Sequence, residues 1–109
     1  MRIISVSNLK SFWERKGCET SRIPIRAWLE LMSKDYTSFN AIRADFPSAD
    51  IVGNSRMVFN LGGNKYRLVA AFNFEYGLVY IKFVGTHSEY DKIVDVTSIN
   101  QFPPTSSPT

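Results

Sequence analysis

The chain has 109 residues, 44% of them hydrophobic, and a formal net charge of +3, which suits one globular domain and excludes a disordered chain. The single cysteine and the single histidine exclude an internal disulfide and argue against a zinc site rich in either residue. No apolar run reaches the ~18 residues of a membrane span and the N-terminus lacks a secretory signal, so we expect a cytoplasmic protein.

The N-terminal half is predicted to form one short strand and two to three helices. The expected elements are a strand over 2–6 and helices over 8–16, 22–34 and 38–45. Ser7 is a plausible N-cap for the first helix. The second helix carries an apolar stripe at helical spacing, formed by Ile25, Trp28, Leu29 and Met32. These helices should therefore cover a sheet with one apolar face.

The C-terminal half changes from helical to strand periodicity. The expected strands lie over 56–61, 65–74 and 78–84, joined by turns at Gly62-Gly63-Asn64 and Glu75-Tyr76-Gly77. In the last of these strands, alternation places Val79, Ile81 and Phe83 on one face. A capping box, Thr86 with Glu89, should start a short helix over 87–92, followed by a strand or irregular segment over 93–97. The order predicts an α+β domain with an antiparallel sheet and its helices on one face.

Chemistry-bearing side chains concentrate in this C-terminal half. They are Lys65 and Arg67 on the long strand, Lys82 on its neighbour, and His87, Glu89, Tyr90 and Asp91 directly afterwards. Cations that can hold phosphate, beside a group that titrates near neutral pH, are the parts that RNA cleavage requires. Each residue also has a structural reading: His87 as a side chain beside a helix start, Lys65 as a solvated edge charge, Tyr90 as core. No phosphate-binding loop and no nucleophile elbow is present.

Three stretches of the sequence carry a resemblance to a known family. They cover residues 39–50, 58–70 and 80–91 and include the elements Phe-Asn-x-Gly-Gly-Asn and Thr-His-x-Glu-Tyr-Asp. With these elements the chain resembles HigB-type toxins of the RelE/ParE superfamily of toxin–antitoxin systems. The resemblance implies a RelE-like fold over residues 1–100, with two to three N-terminal helices packed on one face of an antiparallel sheet. Residues 101–109, rich in Pro, Ser and Thr, are predicted to be a disordered tail.

The resemblance also implies an activity, partners and roles for the residues above. The activity is that of an mRNA interferase, a ribosome-dependent endoribonuclease that cuts translated mRNA in the A site through attack by a 2′-hydroxyl and inhibits translation. The implied partners are a HigA-type helix-turn-helix antitoxin, the ribosome and mRNA, without cofactor or metal. The carried-over residues are His87, Arg67, Lys82 and Tyr90 for catalysis, Lys65, Arg67 and Lys82 for RNA binding, and Glu89 and Asp91 in support.

Each of these residues has an expected contribution to cleavage. Arg67 and Lys82 would clamp the scissile phosphate, while Lys65 would contact a flanking one. His87 is the candidate acid or base, and Tyr90 would stack on the nucleotide or join the proton transfer. The carboxylates of Glu89 and Asp91 are expected to orient His87 or cap the helix.

Two alternatives remain open at this point. ParE-like relatives with the same fold act by binding gyrase, and a small RNA-binding module could grip phosphates without cutting. A histidine among basic strand residues favours RNA cleavage, because a surface that only binds protein has no need of it.

Overall fold

The computed structural model describes residues 1–102, which form a five-stranded sheet with the N-terminal helices on one face. The strands are β1 (Arg2–Ile4), β2 (Asp50–Val52), β3 (Arg56–Leu61), β4 (Tyr66–Asn73) and β5 (Leu78–Thr86). The helices are α1 (Val6–Trp13), α2 (Arg22–Met32), α3 (Phe39–Asp45) and α4 (His87–Asp91), with a 3-10 turn at Glu19–Ser21. Within this range, no helix is long and apolar enough to cross a membrane.

The sheet has the strand order β1-β5-β4-β3-β2 and is mixed. The pairs from β2 to β5 are antiparallel, whereas β1 runs parallel to β5. Two parallel strands need a long connecting segment between them, and the N-terminal helices form part of the segment that connects β1 to β5. The α+β class predicted from the sequence is confirmed. The sheet differs from the antiparallel prediction in β1, which pairs in parallel at one edge. The strand β2, at the other edge, is not predicted from the sequence because three residues are too few to show a periodicity.

The predicted N-terminal cap is wrong for α1 and right for α4. The helix α1 begins at Val6, and its N-cap is Ser5, which has a φ of 77° and makes no side-chain capping bond. The prediction of Ser7 as N-cap is therefore wrong, because the chain turns into the helix within one residue of β1. At α4 the predicted capping box is confirmed: Thr86 Oγ1 accepts from the Glu89 amide at 3.1 Å, and Glu89 Oε1 accepts from the Thr86 amide at 2.9 Å.

The larger hydrophobic core lies between the N-terminal helices and one face of the sheet. From the stripe on α2, Ile25, Trp28 and Met32 are fully buried. The Trp28 ring packs edge-on against Phe59 of β3, with 5.4 Å between ring centroids. Apolar side chains of β3, β4 and β5 complete this core.

The opposite face of the sheet carries a smaller cluster, built on Val58, Val69 and Phe83. Its cover is Tyr90 of α4 and the irregular segment after α4, which contributes Ile93, Val96 and Ile99. The first two residues of the predicted tail contact the domain. The Gln101 amide donates to the Lys82 carbonyl at 2.9 Å, and Phe102 packs against the larger core. The rest of that tail, residues 103–109, lies outside the described residues.

A β-bulge in β5 changes which residues share a face. The partner of Val69 is Phe83 and the partner of Ala70 is Ile81, so Lys82 is the extra residue. A bulge reverses the alternation of side chains beyond it. Phe83 therefore lies on the smaller cluster, opposite Val79 and Ile81, and the prediction that the three share a face is wrong.

Candidate active site

The short helix α4 lies across one end of the sheet, on the face away from the N-terminal helices. Its first amide, that of His87, donates to the carbonyl of Lys65 at 2.9 Å. Further along, the Tyr90 ring lies against Phe83, 6.2 Å between centroids, and 5.8 Å from the guanidinium carbon of Arg67. The start of β4 and the whole of α4 thus form one polar cluster, which contains Lys65, Arg67, His87, Tyr90 and Asp91.

Arg67 is the buried cation of this cluster, with 9% of its surface exposed. Its Nη1 donates to the carbonyls of Asn64 and Tyr66 at 3.2 and 3.3 Å. No carboxylate pairs with it among residues 1–102. A guanidinium held by neutral carbonyls keeps its full charge for an anion, and its planar fork matches two phosphate oxygens.

The histidine of the cluster is held at its backbone and at one ring nitrogen. His87 Nδ1 lies 2.9 Å from Asp91 Oδ2, one helical turn away, and the side chain is 45% exposed. We assign the proton of the neutral imidazole to Nδ1, because that nitrogen faces the carboxylate. Within residues 1–102, Nε2 is then the ring nitrogen left to exchange a proton with a substrate.

The remaining predicted site residues occupy different surroundings. Lys65 is exposed in the turn directly before β4. The Glu89 carboxylate does not contact His87; it belongs to the capping box and forms an ion pair with Arg15 at 2.8 Å. Glu89 therefore supports α4 rather than the imidazole. The hydrogen bonds from Arg15, above all, hold the pKa of Glu89 below its usual range.

Lys82 lies outside the cluster. It is the bulge residue of β5, three positions before the partner of Arg67, which is roughly 10 Å along a strand. Its ammonium group lies 5.5 Å from the centroid of the Tyr80 ring, in a pocket shared with Ile4, Ser5 and Phe102. Burial, and secondly the charge of Arg56, lower the pKa of Lys82. The structure thus does not place Lys82 beside Arg67.

Two residues that the sequence reasoning did not single out shape this site. Gly85 is the β5 partner of Arg67, and a Cβ there would lie 2.6 Å from Phe83 Cζ and 3.2 Å from Glu89 Oε1. Only glycine lets the Phe83 ring and α4 approach the strand so closely. A glycine inside an otherwise apolar strand is the signal that could have indicated this. Arg15, the second residue, offers no such local signal.

The cluster can hold an anion and move a proton. Lys65 and Arg67 supply positive charge, His87 supplies a titratable nitrogen, and Tyr90 supplies an aromatic surface on which a base can stack. A groove between α1 and α2 is lined by Lys10, Trp13, Glu14, Glu19, Arg22 and Arg26; it offers cations and an aromatic ring but no histidine.

Comparison with known proteins identifies one family. The model of the HigB toxin family, described as the RelE-like toxic component of a toxin–antitoxin system, matches residues 21–93. The mRNA interferase toxin HigB of Escherichia coli K12 and the mRNA interferase HigB of Shigella flexneri are each 45% identical to the chain over 53 residues, which is 47% of this chain and 51% of theirs. The mRNA interferase HigB of Escherichia coli O6:H1 is 33% identical over 61 residues, 54% of this chain and 59% of its own. The chain thus spans about half the length of the curated relatives it matches.

Proposed function

The chain belongs to the HigB toxin family, the RelE-like toxic components of toxin–antitoxin systems, and from this premise we propose that it is an endoribonuclease that cuts translated mRNA. Relatives of the chain carry the name mRNA interferase. The observation that carries the proposal is the position of Arg67, a buried cation with no carboxylate partner in the described range, next to the helix that begins with His87. Such a pair suits a phosphodiester substrate.

The proposed reaction is a transesterification within the RNA. The ribose 2′-oxygen attacks the adjacent phosphorus, and the bond from phosphorus to the 5′-oxygen breaks. One group removes the 2′ proton, another protonates the departing oxygen, and cations stabilise the charge on the phosphorane. His87 Nε2 takes one of the two proton transfers, and the Arg67 guanidinium holds the phosphate oxygens.

The other site residues act around the scissile bond in this proposal. Lys65 contacts a flanking phosphate, and Tyr90 stacks on a nucleotide or takes part in the second proton transfer. Asp91 orients His87 through the 2.9 Å contact with Nδ1. Because Lys82 lies away from Arg67, we assign it to a phosphate elsewhere on the RNA strand rather than to the clamp.

The proposed substrate is mRNA held in the A site of the ribosome. His87 lies at the surface of the cluster, with nearly half of its side chain exposed, while Arg67 is buried. A site with one histidine at its surface leaves much of the alignment of a flexible RNA strand to a second macromolecule. In this proposal, that macromolecule is the ribosome. The protein would then act in the cytoplasm and lower translation.

The proposed partner is a HigA-type helix-turn-helix antitoxin. Expression of the chain alone should arrest growth, and co-expression of a helix-turn-helix protein encoded beside it should relieve the arrest. His87→Gln, confirmed to accumulate as folded protein, is the matched control and should allow growth. Normal growth with folded wild-type protein would contradict the toxin assignment.

The decisive assay maps cleavage on programmed ribosomes by primer extension. We expect a cut in the A-site codon and none when a 2′-deoxynucleotide stands immediately 5′ of the scissile phosphate, because the nucleophile is then missing. Cleavage of the deoxy substrate would contradict the mechanism. Binding without cleavage would favour a non-catalytic RNA-binding module, and inhibition of gyrase without cleavage would favour the ParE-like alternative.

A further inference from the structure

An ion pair between Arg15 and Glu89 connects the N-terminal helical layer to the helix that carries His87. The two residues are 74 positions apart in the chain. Arg15 Nη1 donates to Glu89 Oε2 at 3.2 Å, and Nη2 donates to Oε1 at 2.8 Å. This two-pronged geometry fixes the carboxylate in orientation as well as in distance. We infer that Arg15 is a positioning residue that holds α4, and with it His87, in the orientation needed for cleavage; the catalytic part of this inference rests on the proposed function.

The Glu89 carboxylate is the point at which this contact acts on α4. The same Oε1 atom that Arg15 holds also accepts from the Thr86 amide at 2.9 Å. That bond, with its reciprocal bond to Thr86 Oγ1, forms the first turn of α4. A helix of five residues has too few internal hydrogen bonds to be stable alone, so its orientation depends on outside contacts.

Arg15 is itself held in place by a buried ring. Its guanidinium carbon lies 4.9 Å from the centroid of Phe12, which is buried in the larger core. Phe12 in turn packs edge-on against Tyr66, 5.8 Å between centroids, and Tyr66 precedes Arg67 on β4. Through Phe12 and Tyr66, Arg15 thus connects α4 to β4, the strand that carries Arg67.

The expected role is orientation and not global stability. The Arg15 and Glu89 side chains are 46% and 40% exposed, and ion pairs at such positions contribute little to the free energy of unfolding. Proton transfer, in contrast, is sensitive to small displacements of the reacting groups. Losing Arg15 should therefore slow cleavage while the unfolding midpoint stays close to that of wild type.

The first test compares single-turnover cleavage in three single variants and one double variant. Arg15→Ala removes the contact, Arg15→Lys keeps the charge without the fork, and Glu89→Gln keeps an acceptor for the capping box without the charge. We expect Arg15→Ala to lower the maximal rate by roughly 10- to 100-fold with an unchanged half-saturating ribosome concentration. Arg15→Lys should restore part of the rate, and Arg15→Ala combined with Glu89→Gln should lose no more than the larger single effect.

Lys34→Ala is the matched control, because Lys34 forms an exposed ion pair with Asp45 at 3.2 Å, away from α4. It should cut at the wild-type rate. A wild-type rate for Arg15→Ala, or an equal loss in Arg15→Ala and Lys34→Ala, would overturn the inference.

The second test does not depend on activity. Amide hydrogen exchange should be faster in Arg15→Ala at His87 and Lys92, whose amides donate to the carbonyls of Lys65 and Glu89. Unchanged exchange at both amides would overturn the inference whether or not the protein cuts RNA. If Arg15→Ala exchanges faster but the wild-type protein does not cleave RNA, Arg15 still holds α4 in place, and the proposed function is refuted instead. Faster exchange with a wild-type rate of cleavage would refute the positioning role.

Discussion

The two faces of the sheet differ in what they bury. The face under the N-terminal helices buries a large set of aliphatic and aromatic side chains, with Trp28 and Phe59 at its centre. The other face has a cluster of three buried hydrophobic residues, covered by α4 and the segment after it, and it also carries the buried cations Arg56 and Arg67. Apolar burial supplies most of the free energy of folding. The first face therefore accounts for most of the stability, and the second carries the charge on which the proposed function depends.

The two buried arginines extend this comparison within one face. Arg56, on β3, donates to the carbonyls of Val96 and Ile99 at 3.1 and 2.6 Å and so ties the C-terminal segment to the sheet. Burial lowers the pKa of Arg56, and the charge of Asp95 acts in the opposite direction. Within residues 1–102, the side chain of Arg67 donates only to the carbonyls of Asn64 and Tyr66, at and just before the start of β4, and it lies beside Tyr90. Arg56 thus fixes the C-terminal segment, while Arg67 is buried beside Tyr90 without a carboxylate partner in the described residues.

The largest effect on stability is expected on the helix-covered face. Trp28→Ala should lower the free energy of unfolding by roughly 3–5 kcal/mol, because a large side chain that is 1% exposed leaves a cavity. Urea unfolding measures this. Trp28→Phe is the control: it keeps an aromatic ring and removes an indole N–H that has no hydrogen-bond partner within residues 1–102, so its loss should be clearly smaller. A wild-type midpoint for Trp28→Ala would contradict the assignment of this face.

The largest effect on activity is expected on the other face. His87→Gln keeps a hydrogen-bonding side chain but cannot exchange a proton near neutral pH. Cleavage should fall by about 10²–10⁴-fold, and one limb of the pH–rate profile should flatten. The unfolding midpoint should hardly move, since the side chain is half exposed. A wild-type rate with the same pH profile would make His87 structural and assign the proton to Tyr90, Asp91 or the ribosome.

Gly85→Ala should affect both properties, because it acts where the strand meets α4. The new Cβ would clash with Phe83 Cζ and press on Glu89 Oε1. We expect a loss of roughly 1–3 kcal/mol in the free energy of unfolding, as for other overpacked sites, together with slower cleavage. Combining it with Phe83→Leu removes the clashing ring atom and should recover part of the cleavage rate. A fully active and fully stable Gly85→Ala would show that α4 does not depend on this close approach.

The smallest expected effect concerns acid stability. The pKa of Glu89 is lowered in the folded protein from an ordinary value of 4.5, mainly by the hydrogen bonds from Arg15. Its contribution is therefore present above 4.5 and is lost as the pH falls through the folded pKa. Glu89→Gln should lose less stability than wild type as the pH is lowered from neutral to below the folded pKa of Glu89, by a small amount because the pair is exposed. Identical pH dependence in both proteins would contradict the pKa shift of Glu89.

Local patterns in the sequence predicted much of the fold. The apolar stripe around Trp28, the strands β3 to β5 and the capping box of α4 follow from residue spacing and turn chemistry. The bulge at Lys82 could not be predicted, because alternation contains no sign of an inserted residue. For the same reason the alternation pattern predicts the wrong face for Phe83.

The site was predictable in its composition but not in its arrangement. The basic strand and the histidine after β5 stand out in the sequence, and a family resemblance gives them roles. The separation of Lys82 from Arg67 and the contact of Arg15 with Glu89 depend on tertiary packing. Residues 74 positions apart in the chain leave no local pattern when they pair.

Stability is assigned to one face of the sheet and RNA binding to the other. The most direct test is to measure cleavage and unfolding in the same preparation of Arg67→Ala, and likewise in Arg67→Lys. Arg67 has no carboxylate partner in residues 1–102, so its removal leaves no buried counter-charge unpaired. We predict slower cleavage at every pH, partial activity in Arg67→Lys, which keeps the charge without the fork, and unfolding midpoints near wild type in both. Cleavage at the wild-type rate by folded Arg67→Ala would contradict the central claim that this face of the sheet holds the RNA phosphate.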